Sequence, residues 1–298
     1  MKSLIYSLVV ALSTYTSCLA NGFDPHSLPA SVKWLMHVDM EEARGTQVGA
    51  YIAEELYKGE ADRKMAEMAT ILRFDLRKDL RGITLFGQNH RPESAAVVLH
   101  GTFDSDALTA MVRDNDDYSV SEHREHTVYS WVDKGVRSYG AFHGERLVLS
   151  QGKDLVKQTL DVFDGTKSSL STDSYLNPGQ GIMVAAADME SINHVQAEAA
   201  MFKKADSVRL SMTETGRHMK GKLQVSAGNQ EISDQLLSLA QGMIAFAQLN
   251  EEESPELQQL AQSMKVDQDG LDIDVSLLIP IADIMEMITE NQGWKKEF

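Results

Sequence analysis

Val128-Tyr129-Ser130-Trp131-Val132, Val136-Arg137-Ser138-Tyr139-Gly140-Ala141-Phe142 and Arg146-Leu147-Val148-Leu149-Ser150 follow one another, with turns at Asp133-Lys134-Gly135 and at His143-Gly144. Short runs rich in β-branched and aromatic residues, bounded by glycine turns, read as an antiparallel meander of tight hairpins. Residues 153–163 then carry helical spacing, stopped by Asp164-Gly165. Neighbouring strands joined by turns this short cannot run parallel, so the fold class is α+β: antiparallel sheet covered by helices.

The same logic extends upstream. Residues 32–38 read as a strand ending at Asp39, and Val48, Tyr51, Ile52 and Leu56 recur at helical spacing. A second helix is expected over 62–73, then strands over 83–86 and 95–100, then a short helix capped by Asp104 and reaching Met111. Downstream the order repeats. Residues 182–187 form an apolar run closed by Asp188-Met189-Glu190, as the first strand was closed by Asp39-Met40-Glu41. Strands over 208–213 and 219–226, a helix from Gln230, a hairpin around Asp269-Gly270 and a helix over 281–288 complete the series. The expectation is an internal duplication: a first unit over 21–165, a polar connector over 166–181 and a second unit over 182–298, each with its own similar sheet.

Leu28-Pro29-Ala30 before the first strand, Asp39 and Asp188 after matched strands, and Val148-Leu149-Ser150 before the closing helix carry a resemblance. On them the chain resembles a group of exported bacterial proteins of uncharacterised function, built from duplicated strand–helix–hairpin units. The resemblance implies export and this architecture and brings no catalytic residues with it.

The N-terminus points the same way. Lys2 precedes an apolar run over 4–12, and a polar segment ends at Ala20, the layout of a cleavable secretory signal over 1–20. The apolar run is about half of what an uninterrupted membrane span needs, so no transmembrane span is expected. Periplasmic or secreted localisation follows. The rival is lipid anchoring through Cys18, although Tyr15-Thr16-Ser17 is a poor lipoprotein context. With cleavage after Ala20 the one cysteine leaves, and no disulfide, thiolate nucleophile or Cys-ligated metal is expected.

The charge is −16, and loss of Lys2 with the signal makes it −17. A surface this negative repels phosphate backbones, so nucleic acid is excluded as a partner and a protein or envelope macromolecule is expected instead.

Chemistry-bearing residues are few. His123-Arg124-Glu125-His126 offers two imidazoles, with Glu122, Glu125 and His143 as possible complements, so His123 and His126 are the metal-ligand candidates. Flanked by Val120, Val128 and Tyr129, the cluster reads as a strand or a strand-connecting turn, and the expectation is no metal and no cofactor. Asp39 and Asp188 could form a symmetric acid/base pair, but N-capping explains both with no further assumption. Tyr129 and Trp131 share one strand face, with Tyr139 placed across from them; exposed they would stack on sugars or a peptide, and buried they are cross-strand packing. Met65, Met68, Met285 and Met287 read as core fillers. The sequence has no Gly-x-Ser-x-Gly elbow, no His-Glu-x-x-His and no phosphate-cradling glycine loop. The functional expectation is an exported, non-catalytic binding or envelope-associated protein. The alternative is a periplasmic hydrolase or metal-dependent enzyme using scattered His, Asp and Glu.

Overall fold

The computed structural model describes residues 22–56, 60–115, 117–192, 204–249 and 255–290. The expected signal over 1–20, with Cys18 and Ala20, lies outside them. The meander forms as expected. Strands β4 (Ser119–His123), β5 (His126–Asp133), β6 (Val136–His143) and β7 (Arg146–Ser150) pair in order, every pair antiparallel. Lys134 and Gly135 both have positive φ, the backbone that a two-residue hairpin turn requires.

The other strands are β1 (Trp34–Asp39), β2 (Leu80–Gly87), β3 (Ala95–Gly101), β8 (Met183–Asp188), β9 (Ala205–Thr215), β10 (His218–Ala227), β11 (Lys265–Asp269) and β12 (Asp272–Pro280). In place of two sheets, the twelve strands among the described residues form one, in the order β11-β12-β10-β9-β8-β1-β2-β3-β7-β6-β5-β4. The first strands of the two expected units meet: β1 pairs with β8 from Trp34↔Ala187 to Val38↔Met183. That pairing removes two edge strands whose backbone groups would otherwise face solvent unpaired. Read outward from it, the order is β1-β2-β3-β7-β6-β5-β4 on one side and β8-β9-β10-β12-β11 on the other, so the first side carries two further strands.

Helices cover the sheet on both faces. Helix α5 (Lys153–Phe163) lays Val156 and Leu160 onto Leu35, Phe86, Val98, Val148, Val184 and Ala186. Its start demands a glycine, because a Cβ at Gly152 would collide with the Glu93 carbonyl. The opposite face carries α1 (Met40–Gly45), then α2 (Gln47–Leu56), whose Val48 packs on Ile182 and Met219 of the second half, and α3 (Glu60–Leu72) and α4 (Ser105–Arg113) over the first half. There Leu72 and Phe74 pack with Leu80, Leu99 and Leu108. Over the second half lie α6 (Gln230–Leu249) and α7 (Pro255–Ser263), where Leu236 meets Val225 and Ile273. Helix α8 (Ile281–Glu290) closes against α2 through Val48 and Ile281. Helix α7 has no counterpart in the sequence reading, because its nine residues hold only three apolar ones.

Candidate functional site

The β4–β5 turn sets His123 directly opposite His126, and the two rings go to different carboxylates on α5. His123 Nε2 lies 2.9 Å from Asp161 Oδ1, an oxygen that also accepts from Arg124 Nε at 2.7 Å. Asp161 is buried and further paired with Lys167 at 3.5 Å. His126 Nε2 is 2.8 Å from Asp164 Oδ2, and His143 Nε2, from the end of β6, is 3.0 Å from Asp164 Oδ1. Asp161 and Asp164 are three residues apart at the end of α5, so they share a helix face and meet a hairpin whose histidines are equally spaced. Burial works against the charge of Asp161, yet His123 and Arg124 hold its carboxyl below the usual range. The hydrogen bond from His126, and then that from His143, do the same for Asp164.

The ligand atoms of His126, His143 and Asp164 lie within 4.8 Å of one another, close enough to shift onto one ion. Of the two candidates, His126 belongs to this group and His123 does not; Glu122 and Glu125 are exposed and outside it. One contact opposes coordination. Arg146 Nη2 is 3.1 Å from His143 Nδ1, and a guanidinium can only donate. The neutral His143 ring therefore carries its proton on Nε2, assigned from this network, and gives it to Asp164. A metal at Nε2 would have to displace both that proton and Arg146, which also sits 3.8 Å over the Phe163 ring. The arrangement is chemically suited to locking the hairpin onto the negative end of α5.

Asp39 and Asp188 stand at opposite ends of the β1–β8 pair, six residues apart along the strands, or roughly 20 Å. A shared acid/base role is thereby excluded. Asp39 accepts the Glu42 N–H at 2.8 Å and caps α1. Asp188 accepts the Glu190 N–H at 3.0 Å ahead of a 3-10 turn, Met189–Ile192, and takes two further bonds at 2.8 Å, from Lys33 Nζ and Tyr175 OH. Burial raises its pKa, but Lys33 and Tyr175 outweigh that and leave it lowered. Tyr129 and Trp131 face the α4 side of the sheet, as does Phe142, whose ring meets Tyr129 at 6.1 Å. Tyr139 pairs with Ser130 and packs on the α5 core, so it lies on the other face from the aromatics it was expected to oppose.

Two features escaped the sequence reading. The first is a buried polar chain: His37 Nδ1 is 2.8 Å from Thr84 Oγ1, which is 2.9 Å from His100 Nε2. Burial pushes His100 down to about 4, helped by His37, Arg146 and Arg81. The parity of His37 with Leu35, and of His100 with Val98, was the available signal. Gly82 leaves room for the rings, since a Cβ there would sit 3.2 Å from His37 Cε1.

The second is a cavity of about 260 Å³ between α6, α7 and the sheet, floored by Ile273 and Val275 and walled by Leu236, Ala240, Ala247 and Leu260. Every lining side chain among the described residues is apolar, and Met243 at its edge is 51% exposed. Gln248 Nε2 ties the two helices by donating to the Ala261 carbonyl at 3.0 Å. Leu223 also borders a broader cleft of about 450 Å³, lined by Trp34, Ala185, Val208 and Leu210.

No family model and no curated protein matches the chain. Among solved structures, crystal form III of TP0453 superposes with a TM-score of 0.50 at 9% identity, over 90% of this chain and 98% of that one. Crystal form IV of TP0453 gives 0.49 at 8% identity, over 90% and 97%. The likeness to form III is one of fold. Among the described residues no helix is long and apolar enough to cross a membrane.

Proposed function

We propose that this is an exported, non-catalytic binding protein that holds an apolar chain between α6, α7 and the sheet. The all-apolar lining of the 260 Å³ cavity carries the reading. A polar ligand would lose its hydration there with no hydrogen-bonding side chain among the described lining residues to replace it, so hydrocarbon is what suits the site. By comparison with a 150 Å³ apolar cavity that takes benzene, this one holds about ten carbons. The signal-like N-terminus supports a periplasmic or secreted site of action, with N-terminal sequencing of exported protein expected to begin at Asn21. A start at Cys18 bearing acyl groups would make the protein lipid-anchored instead.

Calorimetric titration with straight-chain alcohols tests the reading. Affinity should rise about fourfold per methylene, the equivalent of about 0.8 kcal/mol, and level off near ten carbons. Hexanol through dodecanol all failing to bind would overturn it. A metal-dependent enzyme is the second reading, favoured by the convergence of His126, His143 and Asp164 and opposed by the Arg146 contact. Zinc binding lost in His126→Ala and tightened in Arg146→Ala would favour it.

A further inference from the structure

We infer that the chain carries a second apolar ligand site, between α4 and strands β5–β7, taking the same class of straight hydrocarbon chain as the first. The inference rests on the binding reading above. A cavity of about 190 Å³ lies between Leu108 and Val112 of α4 and Trp131, Gly140, Phe142 and Leu149 of the sheet. It absorbs the aromatic pair that the sequence singled out.

The two cavities share one place in the sheet, the fourth strand out from the centre; from there the first extends inward over β10 and the second outward over β6 and β5. Helix α4 follows β3, the third strand counted outward from β1. Helix α6 follows β10, the third strand counted outward from β8. In both halves the next strand out, β7 or β12, supplies two apolar residues to the floor: Leu147 and Leu149 in one, Ile273 and Val275 in the other.

Register makes the match specific. From the central pair Met36↔Ala185, one row of partners runs through Leu85 and Val97 to Leu149, and on to Gly140 and Tyr129. The other way it runs through Leu210 and Leu223 to Val275. Leu149 and Val275 are therefore the same number of strands from the centre, on the same face, and each floors a cavity. At Gly140 the absence of a side chain lets two lining groups of the second cavity close over the backbone, because a Cβ there would stand 3.0 Å from Leu149 Cδ2 and 3.3 Å from the Trp131 ring. An apolar void forfeits dispersion contacts that a hydrocarbon chain restores. By the benzene comparison, this one holds seven or eight carbons, roughly.

Trp131 reports on the site. We would titrate the protein with 7-bromoheptan-1-ol, which both cavities can hold and whose terminal bromine quenches nearby tryptophan, and read stoichiometry by calorimetry. The expected result is two equivalents bound, with a quenched component that disappears in Trp131→Phe. Ala240→Phe, filling the first cavity, should leave one equivalent and the Trp131 quenching intact. Val112→Phe, filling the second, should leave one equivalent and abolish that quenching. If Val112→Phe does not fold, the unsubstituted protein compared with Trp131→Phe still decides. One equivalent, removed by Ala240→Phe and never quenching Trp131, would overturn the second site and leave the first standing. No uptake at all would overturn both. Loss of Trp131 quenching in a folded Ala240→Phe protein would also overturn the inference, since the two cavities would then act as one.

Discussion

His100 is the residue whose burial has the clearest consequence. An imidazole in the unfolded chain titrates near 6.5, whereas His100 is held at about 4 in the fold, chiefly by burial. Between those values only the unfolded chain binds the proton, so stability rises with pH across this window and is lost as pH falls from 6.5 towards 4. The full swing is about 3 kcal/mol. Glutamine at this position can keep the bond to Thr84 without titrating. Thermal melts of His100→Gln should therefore depend less on pH between 6.5 and 4.5 than those of the native protein; parallel curves would show that His100 does not set the slope. The two matched aspartates should part company as well. Asp39→Ala should cost about 1 kcal/mol, the usual value for an N-cap. Asp188→Ala leaves Lys33 and Tyr175 without their shared acceptor and should cost about 2–3 kcal/mol. Equal losses in denaturant titrations would mean that the Lys33 and Tyr175 bonds add nothing.

At the scale of elements, α5 and the β4–β5 hairpin are held by Asp161 and Asp164. Both carboxyls are depressed, so the stability they lend is present above the unfolded value near 3.9 and disappears as pH falls through their lower folded values. With Arg146 donating to His143, the lock works through hydrogen bonds and no ion is required. Melts with and without chelator should superimpose. A drop of several degrees on chelation, restored by zinc, would show that His126, His143 and Asp164 coordinate a metal after all. The sequence had offered His123 beside His126, because spacing along the chain was the available guide. The hairpin sends the two rings to separate carboxylates 38 residues away, a distance that local pattern does not encode.

At the scale of the whole molecule, the described strands form one sheet, and this governs how its halves depend on each other. Val184 and Ala186 of β8 belong to the core under α5, and β1 would be a bare edge without β8. A fragment of residues 21–181 should therefore fail to fold as a monomer, judged by near-ultraviolet dichroism and size exclusion; a cooperative, monomeric melt would show instead that the halves are independent domains. Some of this was legible in the chain itself. Antiparallel hairpins, the α+β class, and Asp39 and Asp104 as caps all rest on contacts within a few residues, where turn chemistry and hydrophobic parity are written directly. The joining of β1 to β8, the Lys33–Asp188 pair spanning 155 residues, the His37–Thr84–His100 chain and both cavities were decided only in three dimensions. Parity says which side chains point inward. Which distant segment they meet, and whether the meeting fills the space or leaves a void, depends on how strands pair and helices cross over the whole sheet.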